Sequence, residues 1–209
     1  AQALQPGLPF IMGGVFSVMD MSTMILSYGA PELSLMMAGL TELAHYAGLP
    51  LWQTGGCTDS KTFDEQAIIE GSLSAFFSAL TGGDLCHDVG YTESAMTGSV
   101  FQLCAMDESI GYSRRITRGI EVNEDTLAVD VIHHVGPNGH YLREPHTRRY
   151  YKNEFWYPNL CDRRNYEEWE VMGKKTFKDR TVARVQEILA THTASPIKPE
   201  TEKVIKKVL

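Results

Sequence analysis

Two consecutive stretches decide how this chain folds. Leu49-Pro-Leu-Trp-Gln-Thr54 runs into Gly55-Gly-Cys-Thr-Asp-Ser-Lys61 and then into residues 64–80; after Gly82-Gly83 the same order restarts with Asp84-Leu-Cys-His-Asp-Val-Gly90. An apolar run of this length, bounded by paired glycines, is too short for a helix and reads as a buried strand. Between the two runs, Ile68, Ile69, Leu73, Phe76, Phe77 and Leu80 recur at helical spacing, which predicts a helix near 65–80 with that stripe facing inward. The pattern also extends backward. Leu8-Pro-Phe-Ile-Met12 followed by Gly13-Gly14 reads as an earlier strand, and 31–46 as an earlier helix. Pro31 and Glu32 suit that helix's first turn, Leu33, Met36, Met37, Leu40, Leu43 and Ala44 form its apolar face, and Gly48 stands where it should stop.

Strand, glycine and helix repeated in this order describe βα units, so the fold class is α/β with a parallel sheet. Strands near 9–13, 50–54 and 84–88 are expected as parallel neighbours, with the helices near 31–46 and 65–80 outside them. Bare edges leave backbone groups without partners, so the three strands are expected to belong to a (β/α)8 TIM-type barrel with additional C-terminal helices. Residues 1–98 would supply βα units of the C-terminal part of that barrel, and 99–209 a helix-rich region packed on it. In the latter, 96–116 and 125–135 read as helical, 144–180 as helix-rich around an aromatic loop at Trp156-Tyr-Pro158, and 196–209 as a peripheral amphipathic helix. A full barrel needs about 250 residues, more than the 209 present, and the chain opens without an initiator methionine. A fragment is therefore expected, one that would not turn over a substrate by itself.

Composition narrows the function. With 43% hydrophobic and 22% charged residues the chain can bury a core, and its formal charge of −7 gives no basic footprint for nucleic acid or an anionic membrane surface. No apolar run approaches the roughly 20 residues that span a bilayer. The four cysteines, Cys57, Cys86, Cys104 and Cys161, are far apart and form no metal-knuckle spacing, so no metal site is expected and free thiols in a reducing cytoplasm are the default.

Leu40-Thr-Glu-Leu-Ala-His-Tyr-Ala-Gly-Leu-Pro50, Thr54-Gly-Gly-Cys-Thr-Asp-Ser-Lys61 with Asp64-Glu-Gln-Ala67, Leu80-Thr-Gly-Gly-Asp84, Val135-Gly-Pro-Asn-Gly-His-Tyr-Leu142 and Cys161-Asp-Arg-Arg164 together resemble the trimethylamine methyltransferase family. The likeness runs along nearly the whole chain. It implies the C-terminal portion of a (β/α)8-type enzyme that moves a methyl group from a methylamine or a betaine-like quaternary amine to Co(I) of a separate corrinoid protein. The cofactor would then be carried by that partner, and a homo-oligomer is expected. The resemblance also implies that members acting on the tertiary amine use pyrrolysine; here Lys61 is the position to inspect, and the sequence carries lysine. Two rival readings are a non-catalytic docking module for the corrinoid protein and an unrelated TIM-barrel lyase with Lys61 as a Schiff-base amine.

In parallel barrels chemistry collects at the strands' C-terminal ends, which selects three loops. In the first, Gly13 and Gly14 admit a close backbone approach and Asp20 can face a cationic amine, or else sit solvated in a turn. The second offers Gly55, Gly56, Asp59 and Lys61, with Asp59 orienting substrate or pairing with Lys61, and Cys57 as a small filler. The third offers His87, Asp88, Tyr91 and Glu93. Strand alternation sends His87 and Asp88 to opposite faces. His87, Asp59 and Lys61 are the catalytic candidates and the others substrate-binding ones. Met19, Met21 and Met24 read as soft packing or as a lining for the corrinoid face.

Overall fold

The computed structural model describes residues 3–208, apart from the side chain of residue 208; residue 209, the end of the expected 196–209 helix, lies outside the described residues. In chain order the elements are β1 (Met12–Gly13), β2 (Val18–Asp20), β3 (Ile25–Ser27), α1 (Pro31–Tyr46), β4 (Leu51–Thr54), α2 (Glu65–Leu80), β5 (Leu85–His87), β6 (Tyr91–Thr92) and β7 (Thr97–Gly98). Helices follow: α3 (Val100–Thr117), α4 (Glu124–Leu127), α5 (Val129–Val135), α6 (Pro145–Glu154), α7 (Tyr166–Val171), α8 (Phe177–Thr191) and α9 (Pro199–Val208).

The three expected strands are parallel neighbours in the order β1-β4-β5, with Met12 opposite Leu51, Trp52 opposite Leu85 and Thr54 opposite His87. Alternation along β4 gives its two faces different neighbours. Leu51 enters a core with Leu33, Met37, Leu40 and Ala44 of α1. Gln53, fully buried, accepts a hydrogen bond from the Thr41 hydroxyl of α1 (3.3 Å) and donates to the carbonyl (3.0 Å) and hydroxyl (2.6 Å) of Ser78 on α2. Both helices therefore lie on one face of the sheet. Trp52, between Leu51 and Gln53, is 51% exposed on the other.

Among the described residues the parallel sheet has the three expected strands and no closed barrel. Other expectations are corrected by the structure. Two antiparallel hairpins, β2–β3 and β6–β7, follow β1 and β5. Met19, Met21 and Met24 are exposed on the first. On α2 the buried face is Ala67, Gly71, Ser74, Ala75 and Ser78, whereas Ile69, Leu73 and Leu80 of the expected inward stripe are exposed. The reason is close helix approach: a Cβ on Gly71 would stand 2.7 Å from Gln102 Nε2 and 2.8 Å from Met106 Sδ, both on α3. Small residues are needed where α3 packs, and the bulky ones point away. Leu43 of α1 is exposed as well. The 125–135 helix is broken at Ala128, whose φ is 51°. Met96 lies in a hairpin loop and α3 starts at Val100, after the Ser99 hydroxyl caps the backbone N–H of Gln102 (3.2 Å).

The helical region is anchored by one carboxylate. Glu108 of α3, 5% exposed, accepts the backbone N–H groups of Asn159 (3.0 Å), Leu160 (2.8 Å) and Cys161 (2.8 Å). Arg180 of α8 donates to the carbonyl of Leu160 and pairs with Asp162 at 3.8 Å, so the same turn is held from its other side.

Candidate active site at the C-terminal edge of the sheet

The loops leaving β1, β4 and β5 meet at one edge of the sheet and are tied together by side-chain carboxylates. Asp59, in the loop after β4, accepts from the backbone N–H of Tyr28 (2.7 Å) and from the hydroxyls of Ser27 on β3 and Ser94 in the β6–β7 hairpin (2.7 Å for Ser94). One side chain thus holds both hairpins. Burial raises its pKa, but the bonds from Ser27, Ser94, Tyr28 and Gly29 outweigh it and hold the group below the usual carboxylate range. A carboxylate offers about four lone-pair sites, so little capacity is left for a ligand. Glu70 of α2 secures the same loop from beneath, accepting from the Thr58 hydroxyl (2.5 Å) and the Asp59 backbone N–H (2.9 Å).

His87 and Asp88 form the second cluster. The His87 Nδ1 lies 2.9 Å from Asp88 Oδ1, and its Nε2 is 3.3 Å from the Thr54 hydroxyl on β4. Alternation had placed the two residues on opposite faces; they meet because Asp88 leaves the strand in the left-handed region, with φ 67°. The Trp52 and His87 rings meet edge to face, 5.3 Å between centroids. Trp52, Thr54 and His87 therefore line one place on the face that carries neither α1 nor α2.

Left-handed non-glycine residues concentrate here. Besides Asp88, the consecutive residues Glu93, Ser94 and Ala95 have φ of 52°, 52° and 68°. Such backbone is costly and persists where surrounding contacts over-determine it, which is common at functional sites. Here the contacts are backbone bonds from Glu93 to the Ser60 carbonyl (2.8 Å) and from Ser94 to that of Thr58 (3.1 Å).

The remaining candidates occupy distinct environments. Lys61 is exposed and its ammonium donates to the Asp59 carbonyl (2.8 Å), not to the carboxylate. Asp20 accepts from the N–H and hydroxyl of Ser22 (2.7 Å each) within its own turn. Gly13 is in β1, and a Cβ on Gly14 would press against Phe16 and Leu40. At Gly55 a Cβ would meet Cys86 Sγ and the Ser74 carbonyl at 3.1 Å, and Gly56 has φ 78° with Val89 against it, so these glycines serve close packing as well as any ligand. Tyr91 accepts the Thr58 N–H on its carbonyl (3.1 Å) and Glu93 accepts the Thr97 hydroxyl (3.0 Å). Cys57 is fully buried; burial foremost, with the nearby Asp88 charge, pushes its thiol up to about 12, so it remains protonated at neutral pH.

Sequence reasoning missed Trp52, Thr54, Tyr28, Ser94 and Glu70. Trp52 and Thr54 were visible as β4 residues ending beside a glycine pair. Tyr28, whose hydroxyl pKa is raised by burial and then by the Asp88 charge, Ser94 and Glu70 gave no local signal, because their roles come from loops meeting in space. Among the described residues, no group of three or more His, Cys, Asp or Glu is placed to hold a metal ion, and no helix is long and apolar enough to cross a membrane.

Comparison with known proteins finds sequence similarity along the whole chain. The sequence model of the trimethylamine methyltransferase family matches residues 1–208. A glycine betaine methyltransferase of Desulfitobacterium hafniense strain Y51 is 37% identical over 96% of the chain and 42% of its own length. A trimethylamine methyltransferase of D. hafniense strain DCB-2 is 35% identical over 94% of the chain and 40% of its own length, and one from Methanosarcina mazei is 31% identical over 100% and 42%. The chain thus spans about 40% of the length of the curated relatives it matches. With nearly every residue inside the match, the chain belongs to the trimethylamine methyltransferase family.

Proposed function

We propose that these residues form part of the site of an amine methyltransferase, which removes a methyl group from a quaternary amine of the betaine type and passes it to a corrinoid protein. The observation that carries the reading is the one-sided sheet. Both helices cover the Leu51 and Gln53 face, while Trp52 and His87 stand on the other beside the strands' C-terminal ends. Helices on one face only are what a wall of a (β/α)8 barrel has, with its uncovered face turned inward.

The chemistry asks these residues to hold a cation and aim one methyl. The π-face of Trp52 attracts a quaternary ammonium, and Asp88, steadied by His87, supplies the counter-charge. As the methyl carbon is attacked in line, its C–N bond breaks and the electron pair stays on nitrogen. The leaving group is then a neutral tertiary amine and needs no proton. The Co(I) of a corrinoid supplies the nucleophile that takes the methyl. Exposed Met21 and Met24 on one hairpin and Met96 on the other offer soft apolar contacts around the site, which suit a partner that presents a macrocycle. Asp59, its oxygens occupied by Ser27, Tyr28 and Ser94, serves to fix the two hairpins. Lys61 is exposed rather than set in an apolar pocket, which disfavours a Schiff-base lyase. Lysine rather than pyrrolysine at 61 favours a quaternary over a tertiary amine.

The test offers glycine betaine and trimethylamine separately to the complete gene product containing these residues, and follows cob(I)alamin methylation optically. Methylation with glycine betaine but not trimethylamine is the expected result. Turnover of trimethylamine with an ordinary lysine at 61 and no pyrrolysine elsewhere in the complete gene product, both proven by mass spectrometry, contradicts the leaving-group argument.

A further inference from the structure

A groove of about 500 Å³ lies between α3 and the last turns of α8, walled by Val100, Leu103 and Cys104 on one side and Val185, Ile188 and Leu189 on the other. It is mostly apolar, and Leu189 within it is 71% exposed. No residue of α9 lines it. Yet α9 carries an apolar face of its own: Val204 and Ile205, on the same side as Thr201, are 62% and 42% exposed. Two unsatisfied apolar surfaces therefore belong to one chain, on consecutive helices.

The geometry points to α9 as a strap that folds back and seats Val204 and Ile205 in the α3/α8 groove of its own chain. Three observations favour this occupant. First, the linker between α8 and α9, residues 192–198, is of ordinary length for a connection between antiparallel helices. Extended, it reaches about 23 Å, whereas the groove residues of α8 lie within the last two turns before the linker begins, about 10 Å of helix. Second, the charges match. Asp107 at the groove is exposed and makes no ion pair among the described residues, and neither does Lys207, which flanks Val204 on the α9 apolar face; Arg184, also at the groove, is already paired with Glu187. Third, a tether of this length gives an effective concentration in the millimolar range, so the same contact in cis outcompetes one with a second copy.

Seating the strap has a consequence for the site. The groove begins at Val89, the residue after Asp88, whose side chain packs against Gly56. A helix lodged there backs the segment that carries His87 and Asp88.

Cys104 supplies the test, performed on the complete gene product containing these residues, with its other exposed cysteines, Cys86 and Cys161 among them, replaced by serine. Val204→Cys and Ile205→Cys are introduced separately and oxidised mildly, since a disulfide requires the two Cα atoms to come within about 7 Å. The expected result is a disulfide to Cys104 within the monomer for at least one of the two, and none for Lys203→Cys on the opposite face. Hydrogen exchange gives a second readout: α9 amides should lose about tenfold protection in Leu189→Asp, an exposed position where the fold tolerates the change. Disulfides found only in dimers would assign the groove to a second copy and overturn the proposal. The absence of any bond, or α9 exchange unaffected by Leu189→Asp, would overturn it equally.

Discussion

The two faces of the β1-β4-β5 sheet are built differently from residues that alternate along one strand. On the helix-covered face, Gln53 is fully buried and bonded to α1 and α2 at once. On the other face Trp52, its immediate neighbour, is half exposed and touches the edge cluster through His87. The first face is saturated and holds the fold. The second leaves Trp52 half in water and carries the candidate site, so stability and the proposed chemistry fall on opposite sides of the same four residues.

Breaking the covered face should have the largest effect. Gln53→Ala removes a buried side chain and strands the Ser78 carbonyl, so urea denaturation should show a loss of about 3 kcal/mol. Gly71→Ala tests the outer layer on that side, where α2 meets α3: overpacking against Gln102 and Met106 should cost about 2 kcal/mol, read as a lower Tm.

A smaller effect is expected at the edge joining the two faces. Asp59→Asn keeps an acceptor but weakens the bonds from Ser27, Tyr28 and Ser94, at about 1 kcal/mol. Its pH dependence has a definite sign. The folded pKa lies below the unfolded 3.8, so Asp59 contributes stability above that value and loses it as pH falls through the folded one. Wild type should therefore lose stability more steeply below about pH 4 than Asp59→Asn does, as an acid titration of the denaturation midpoint would show. Smallest of all, Trp52→Ala should change stability by less than about 1 kcal/mol, since half of the ring is already in water. A large loss there would mean that the uncovered face is a structural surface after all.

How far the sequence revealed this depended on the range of the interactions. Strand, glycine and helix order is local, so the parallel neighbours at Met12, Leu51 and Leu85 could be read directly, as could the start of α1 at Pro31. The inward face of α2 could not. Hydrophobic spacing pointed to Leu73, whereas Gly71 and Ala75 are buried because α3 comes close, and only the partner's position reveals that. The candidate site divides the same way. His87 and Asp59 were legible as polar residues after strands. Their actual neighbours were not: Asp88 turns back to His87 through a left-handed φ, and Asp59 is bound by Ser27 and Ser94 from hairpins 32 and 35 residues away in sequence.

The central claim is that the uncovered face, at the strand ends, holds a cationic amine while its methyl group is transferred. The most direct measurement is the rate of cob(I)alamin methylation by glycine betaine, followed optically with the complete gene product and with its His87→Ala variant. Loss of the ring removes the contact that steadies Asp88 and the ring contact with Trp52, so the rate should fall by more than about tenfold while the fold is retained. Unchanged kinetics in a folded His87→Ala protein would take this face out of the reaction.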